Sequence, residues 1–151
     1  MIRYLKELKG AIKMLNTLSA SLQDYLEAIL ELEESENQVR ITDIAKRLKI
    51  AKASVNQSIH KLKELELVIQ QMYGPVLLTN EGRDIAIKIR DRHRKLRKFL
   101  IEVLNVKPEV AEKDACSMEH VVSPQTMDKL TEFLCRNGYL SEGCNVYFNK
   151  E

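Results

Sequence analysis

The sequence predicts a mainly α protein, and three observations predict it. Apolar residues recur every three or four positions along most of the chain. Helix-start and helix-stop residues, such as Ser123-Pro124 and Gly138, punctuate those stretches. The β-prone runs flank a single Gly74-Pro75 breaker. With 44% hydrophobic residues in 151, the chain can bury a core as one domain or as two small ones.

The first segment places Leu5, Leu8, Ile12 and Leu15 on one helical stripe, with Lys6, Lys9 and Lys13 elsewhere, and reads as an amphipathic extension over residues 1–20. After the capping residues between Asn16 and Ser21, a second helix runs to about Glu34 with Leu22, Tyr25, Leu26, Ile29 and Leu30 inward. From Arg40 comes a short helix with Ile41, Ile44, Ala45 and Leu48 inside. A tight turn leads to a longer helix with Val55, Ile59, Leu62 and Leu65 inside. This is a helix-turn-helix pattern. The runs 67–73 and 76–79 around Gly74-Pro75 form a hairpin, which completes the order of a winged helix, a common DNA-binding architecture.

Residues 79–82 then cap a long helix to about Leu104, whose apolar stripe of Ile85, Ile89, Leu96 and Leu100 also carries His93. Asn105 to Lys107 break it, and Pro108 suits the first position of a helix carrying Cys116, Glu119 and His120. A final helix runs from Ser123-Pro124 to about Asn137, where Gly138 stops it. The predicted organisation is therefore an extension (1–20), a winged helix (21–82), an all-helical domain (83–140) and a tail (141–151), with no flexible linker between the two domains.

A net charge of +2 does not by itself announce a nucleic-acid binder. Its distribution is uneven: an acidic run over Glu31 to Glu36 precedes basic stretches around Lys46 to Lys63 and Arg83 to Lys98. Three cysteines are too few for a secreted disulfide framework and point to a reducing cytoplasm. The charged N-terminus offers neither a signal peptide nor a membrane span, so a cytoplasmic location without a membrane partner is expected.

On the predicted recognition helix, Lys52, Ala53, Asn56, Gln57 and His60 lie opposite the buried stripe. Asn and Gln amides pair bidentately with adenine, and Ala53 can pack on a thymine methyl. Lys52, Lys61 and Lys63 suit phosphates, which fix register without reading sequence. The plain alternative is a solvated helix face.

Cys116, Glu119 and His120 stand at i, i+3 and i+4, so a thiol, a carboxylate and an imidazole project from one helical face. Asp24 and Glu27 form a second pair at i, i+3, and His93 is a third candidate ligand. Each has a bland reading: carboxylates favouring a helix N-terminus, a satisfied core histidine, a small buried cysteine. A hydrolase using Cys116 as nucleophile and His120 as base lacks a third orienting group and an oxyanion site, so neither catalysis nor a small-molecule substrate is expected.

From about Ser21 to Cys135 the chain resembles the DtxR/MntR family of metal-dependent transcriptional repressors. The matching residues are Leu22-Gln-Asp-Tyr-Leu-Glu27, Ile41-Thr-Asp-Ile-Ala-Lys-Arg-Leu48, Ser54-Val-Asn-Gln57, Leu78-Thr-Asn-Glu-Gly82, Arg92-His93 and Cys116-Ser-Met-Glu-His120. The resemblance implies a winged helix followed by a helical metal-binding and dimerisation domain, and a homodimer on a double-stranded palindromic operator. It implies repression of metal-uptake genes when Mn²⁺ or Fe²⁺ is abundant, and the thiolate of Cys116 adds Zn²⁺ or Co²⁺ as ions able to bind in vitro. It places the ligands on Asp24, Glu27, His93, Cys116, Glu119 and His120, and the recognition helix on Ala51 to Lys61, which adds Ser54 to the DNA-facing set.

No counterpart of the SH3-like domain of longer members is evident, as in the short, two-domain form. Manganese-type members carry glutamate at the position of Cys116, whereas iron-type members carry cysteine there but methionine at the position of Asp24, so this chain mixes the two patterns. Arg97 stands where iron-type members have an ancillary-site glutamate. The alternative function is a metal-independent winged-helix regulator with a structural Cys/Glu/His cluster.

Overall fold

The computed structural model describes residues 17–36 and 38–141 together with Gly10, Met14 and Leu15. Leu5, Leu8 and Ile12 of the predicted extension, and the tail beyond Ser141, lie outside the described residues. Among those described, the elements are α1 (Ala20–Ser35), α2 (Ile41–Leu48), α3 (Lys52–Glu64), β1 (Val68–Gln70), β2 (Val76–Leu78) and α4 (Asn80–Lys98). A π-helical turn (Phe99–Val103), α5 (Pro108–Met118) and α6 (Pro124–Arg136) follow. The chain divides into two compact units between Ile89 and Arg90.

In the first unit, Ser19 caps α1 by accepting the Leu22 N–H at 3.3 Å. Tyr25, Leu26, Ile29 and Leu30 are buried from α1, together with Leu15 and Leu18. The buried Gln23 holds that preceding chain in place, its Nε2 donating to the carbonyls of Leu15 (3.1 Å) and Leu18 (3.0 Å). The N–H of Arg40 donates to Asp43 at 2.8 Å to start α2, and Lys49 at φ 56° stops it, so α3 begins within a few residues.

α3 buries Val55, Ile59 and Leu62. Leu65, expected inside with them, is instead 37% exposed. The helix has ended at Glu64, and Glu66 at φ 58° turns the chain so that Leu67 enters the core in its place.

β1 and β2 pair antiparallel with Val68 opposite Leu78 and Gln70 opposite Val76. The strands are shorter than their β-prone runs because residues 71–74 turn: the Gly74 N–H donates to the Gln71 carbonyl at 2.9 Å, and Tyr73 takes φ 58°. Val76 also donates to the Val39 carbonyl at 2.8 Å, which ties the hairpin to the chain between α1 and α2. Glu33 is a second tie: it accepts the Leu78 N–H at 2.8 Å and pairs with Arg83.

Thr79 Oγ1 donates to the Glu66 carbonyl at 2.8 Å and accepts the Gly82 N–H at 3.0 Å, capping α4 against the entry to β1. Gly82 is required there, because a Cβ would stand 2.0 Å from the Leu67 carbonyl oxygen.

In the second unit, Leu96 and Leu100 pack with Ala111, Ala115 and Met127. The long helix was expected to run regularly to about Leu104. It instead widens after Lys98 into a π turn closed by the Leu104 N–H on the Phe99 carbonyl at 3.2 Å, and Asn105 at φ 56° ends it. Pro108 opens α5 and the Ser123 side chain caps α6, which Gly138 at φ 74° follows. Phe99 and Phe133 meet edge to face at 6.2 Å between ring centroids. Cys135 is disulfide-bonded, a pairing that three cysteines and an expected reducing compartment did not suggest. No described helix is long and apolar enough to cross a membrane.

Gly82→Ala is expected to destabilise the protein by about 1–3 kcal/mol, read in urea denaturation, because the added methyl meets backbone rather than a yielding side chain. Lys88 allows a second test. Its Nζ is buried without a hydrogen-bond partner, and burial holds the ammonium below lysine's usual 10.5 while Asp84 opposes the shift. The folded chain therefore holds that proton less tightly than the unfolded chain, so the penalty is fully present at neutral pH and fades as pH rises towards 10.5. Lys88→Met should raise the urea midpoint at pH 7, with the difference from the parent narrowing in alkali.

Candidate metal centre and nucleic-acid interface

Asp24 and Glu27 lie half-buried on α1, past its first turn, which carries no acidic residue. Their role is thus not that of charges at a helix N-terminus. His93 stands on α4 in the second unit, with its side chain 18% exposed.

The Cys116, Glu119, His120 triplet is less uniform than its spacing predicts. α5 ends at Met118, Glu119 is its C-cap, and His120 already belongs to the following turn, so the helix expected to carry all three carries only Cys116. Glu119 keeps helical geometry (φ −58°, ψ −27°) with its N–H on the Ala115 carbonyl, which preserves its direction relative to Cys116. Cys116 is exposed, whereas the Glu119 side chain is wholly buried.

Glu119 is the centre of the charge arrangement in this unit. Its Oε2 lies 2.7 Å from His93 Nδ1. Its Oε1 is buried without a hydrogen-bond partner, and His120 Nε2 stands 3.5 Å from it. Burial pulls the Arg92 guanidinium below its usual range while the charge of Glu119 works the other way. Arg92 donates to the Val122 carbonyl, and its Nε is buried without a partner. His93 Nε2 faces Glu112 Oε1 at 3.0 Å, and Glu112 Oε2 receives Arg97 Nε at 2.6 Å. A buried carboxylate oxygen without a donor, beside two imidazoles, fits a divalent first-row cation, which takes nitrogen, oxygen and sulfur donors. Glu112 and Arg92 were missed as parts of this arrangement. The legible signal was the spacing of Glu112, Cys116 and Glu119 at i, i+4 and i+7 on one helical face.

On α3 every DNA-facing candidate is exposed: Lys52, Ala53, Ser54, Asn56, Gln57, His60 and Lys61. The buried Val55, Ile59 and Leu62 fix which side they present. His60 leans towards Glu64, with its Nε2 3.5 Å from Oε1. The wing tip adds Met72 and Tyr73, 88% and 100% exposed, which were read as strand; their place beside Gly74-Pro75 was the signal that they lie in the turn.

Residues 17–76 match the iron dependent repressor N-terminal DNA binding domain, and residues 79–138 match the iron dependent repressor metal binding and dimerisation domain. The chain belongs to the iron-dependent repressor family, that of the DtxR and MntR regulators. It is 34% identical over 118 residues to an uncharacterized HTH-type transcriptional regulator of Methanocaldococcus jannaschii, covering 78% of this chain and 94% of that protein. It is 35% identical over 117 residues to the transcriptional regulator MntR of Escherichia coli, covering 78% of this chain and 75% of that protein. A solved manganese-dependent transcriptional repressor in complex with manganese superposes with a TM-score of 0.70 at 33% identity over 76% of this chain. The chain spans about half of that structure, 52% of its length.

The exposed face of α3 yields a test. Lys52→Ala should weaken binding to all duplexes alike and lower the slope of log affinity against log salt by about 1 for each copy of α3 bound. Asn56→Ala or Gln57→Ala should cost about 1–3 kcal/mol on the preferred sequence only. Both are read by fluorescence anisotropy on a duplex selected from a random pool by the parent protein and on a scrambled control. Uniform losses from all three substitutions would remove α3 as the reading element.

Proposed function

We propose that this chain is a transcriptional repressor that binds a palindromic operator as a homodimer when it holds Mn²⁺ or Fe²⁺, and so controls metal-uptake genes in the cytoplasm. Its ligands in this reading are Asp24, Glu27, His93, Cys116, Glu119 and His120. Its DNA-facing residues are Lys52, Ala53, Ser54, Asn56, Gln57, His60 and Lys61.

The observation that carries the reading is Glu119, a wholly buried carboxylate with one oxygen on His93 and the other without a hydrogen-bond partner. Leaving such an oxygen unsatisfied costs about 1–3 kcal/mol, a penalty that a bound cation removes. Similar solved structures, which include a manganese regulator and a manganese-dependent repressor in complex with manganese, support a divalent transition ion. The match to a dimerisation domain, and the exposed apolar side chains of Leu104, Val110 and Phe133 in that domain, support a homodimer.

The bound ion supplies positive charge and a fixed coordination shell. In this reading the carboxylates of Asp24, Glu27 and Glu119 are like charges that disfavour the DNA-competent state, and neutralising them would remove that cost. Two copies of α3 then enter successive major grooves, about 34–36 Å apart on a palindrome. Metal thus acts through its greater affinity for the DNA-competent state.

Anisotropy titrations should show Mn²⁺ or Fe²⁺ tightening operator binding about 5–150-fold. His120→Ala should reduce that response, and Glu119→Gln should reduce it while also raising metal-free binding, because it removes one of the repelling charges. Equal operator affinity with and without either ion would overturn the reading in favour of a metal-independent winged-helix regulator.

A further inference from the structure

We propose that Glu112 is a positioning residue for the metal site: held by Arg97, its carboxylate accepts the Nε2–H of His93 and so presents Nδ1 as the ligand atom. The inference rests on the metal-binding reading above, with His93 among the ligands.

Three contacts in series support it within the second unit. Arg97 Nε lies 2.6 Å from Glu112 Oε2, Glu112 Oε1 lies 3.0 Å from His93 Nε2, and His93 Nδ1 lies 2.7 Å from Glu119 Oε2. His93 and Arg97 are four residues apart on α4, so their side chains share a face, and Glu112 reaches both from α5. A neutral imidazole carries one proton and one lone pair, and the partner of one nitrogen decides which end can ligate. Without metal the 2.7 Å contact needs a proton between Nδ1 and Glu119; an ion displaces that proton, and a carboxylate on Nε2 keeps the other one there and leaves Nδ1 to ligate. Nδ1 already faces the buried carboxylate of Glu119, so the ring need not turn to ligate.

Arg97 has a distinct part. The Glu112 side chain is 58% exposed, and an exposed carboxylate on its own would populate several rotamers. The guanidinium restrains it. Exposed ion pairs contribute little to stability, so the pair should act on ligand orientation far more than on folding.

The test uses the full chain and Zn²⁺, a diamagnetic ion. Zn²⁺ affinity is read by chelator competition, and the protonated ring nitrogen of His93 by nitrogen-15 NMR of the loaded protein. Glu112→Ala should weaken Zn²⁺ binding about 10–100-fold and replace the single Nε2–H pattern of His93 with a mixed one. Glu112→Gln keeps a carbonyl acceptor and should recover most of the affinity. Arg97→Ala should cause a smaller, few-fold loss, and decides the matter should Glu112→Ala fail to fold. Unchanged affinity and ring pattern in Glu112→Ala would overturn the proposal, leaving a surface ion pair. Equal losses in Glu112→Gln and Glu112→Ala would overturn it too, by making Glu112 a ligand. A parent chain that binds no Zn²⁺, Mn²⁺ or Fe²⁺ would instead overturn the metal-binding reading itself.

Discussion

The second unit is organised by the need to accommodate one wholly buried carboxylate. Glu119 sits at the end of α5, where the helix stops and His120 begins the turn. An isolated buried charge is untenable, and the surroundings supply the compensation: His93 on one oxygen, His120 near the other, and the Arg92 guanidinium close enough to interact with it. Arg92 is itself drawn into poor solvation, with its Nε buried without a partner. A cluster tuned only for stability would satisfy these atoms or replace them with apolar side chains of similar volume. For the proposed cation site only the Glu119 oxygen counts, because a ligand atom must stay available for the ion and the Arg92 guanidinium cannot ligate.

The first unit meets a different constraint: α3 must be held by one face so that the other stays clear. Val55, Ile59 and Leu62 supply the held face, and Leu67, brought inward by the left-handed turn at Glu66, closes the core behind it. Gly82 lets α4 approach the Leu67 carbonyl, Thr79 bridges to Glu66, and Glu33 fastens β2 to α1. Lys52, Asn56 and Gln57 remain exposed, so rigidity behind the helix does not cover that face.

What was legible in the sequence was whatever depends on periodicity and punctuation. The apolar stripes, Ser19 and Ser123 as caps, Pro108 at a helix start and Gly138 at a helix end all follow from local chemistry, and the structure places them accordingly. Failures occurred where a long-range contact or a single left-handed residue decides. Leu65 fits the apolar period of α3 but falls just past its end, and Glu66 then redirects the chain. Met72 and Tyr73 are β-prone, yet the turn before Pro75 claims them. At the candidate metal centre, residue types and spacing singled out Glu119 and His93. The unequal exposure of Cys116 and Glu119, and the role of Glu112, depend on how α4 and α5 pack, which spacing along one helix does not encode.

The modest net charge of +2 bears on the proposed switch. Two glutamates of the acidic run are committed to internal ion pairs, Glu31 with Arg47 and Glu33 with Arg83, so that run is not simply a repulsive patch facing DNA. The exposed basic side chains on α3 are Lys52, Lys61 and Lys63, joined just before it in sequence by Lys46 and Lys49, a limited set for phosphate contacts. Each phosphate contact adds about 0.9 to the slope of log affinity against log salt, so few contacts mean weak sequence-independent binding. A strongly basic chain would occupy DNA whether or not metal was present, and a coupling of about 1–3 kcal/mol between metal and operator would then change little. With a low electrostatic background, the same coupling decides whether the operator is occupied, which makes the low net charge of the chain part of the proposed metal response.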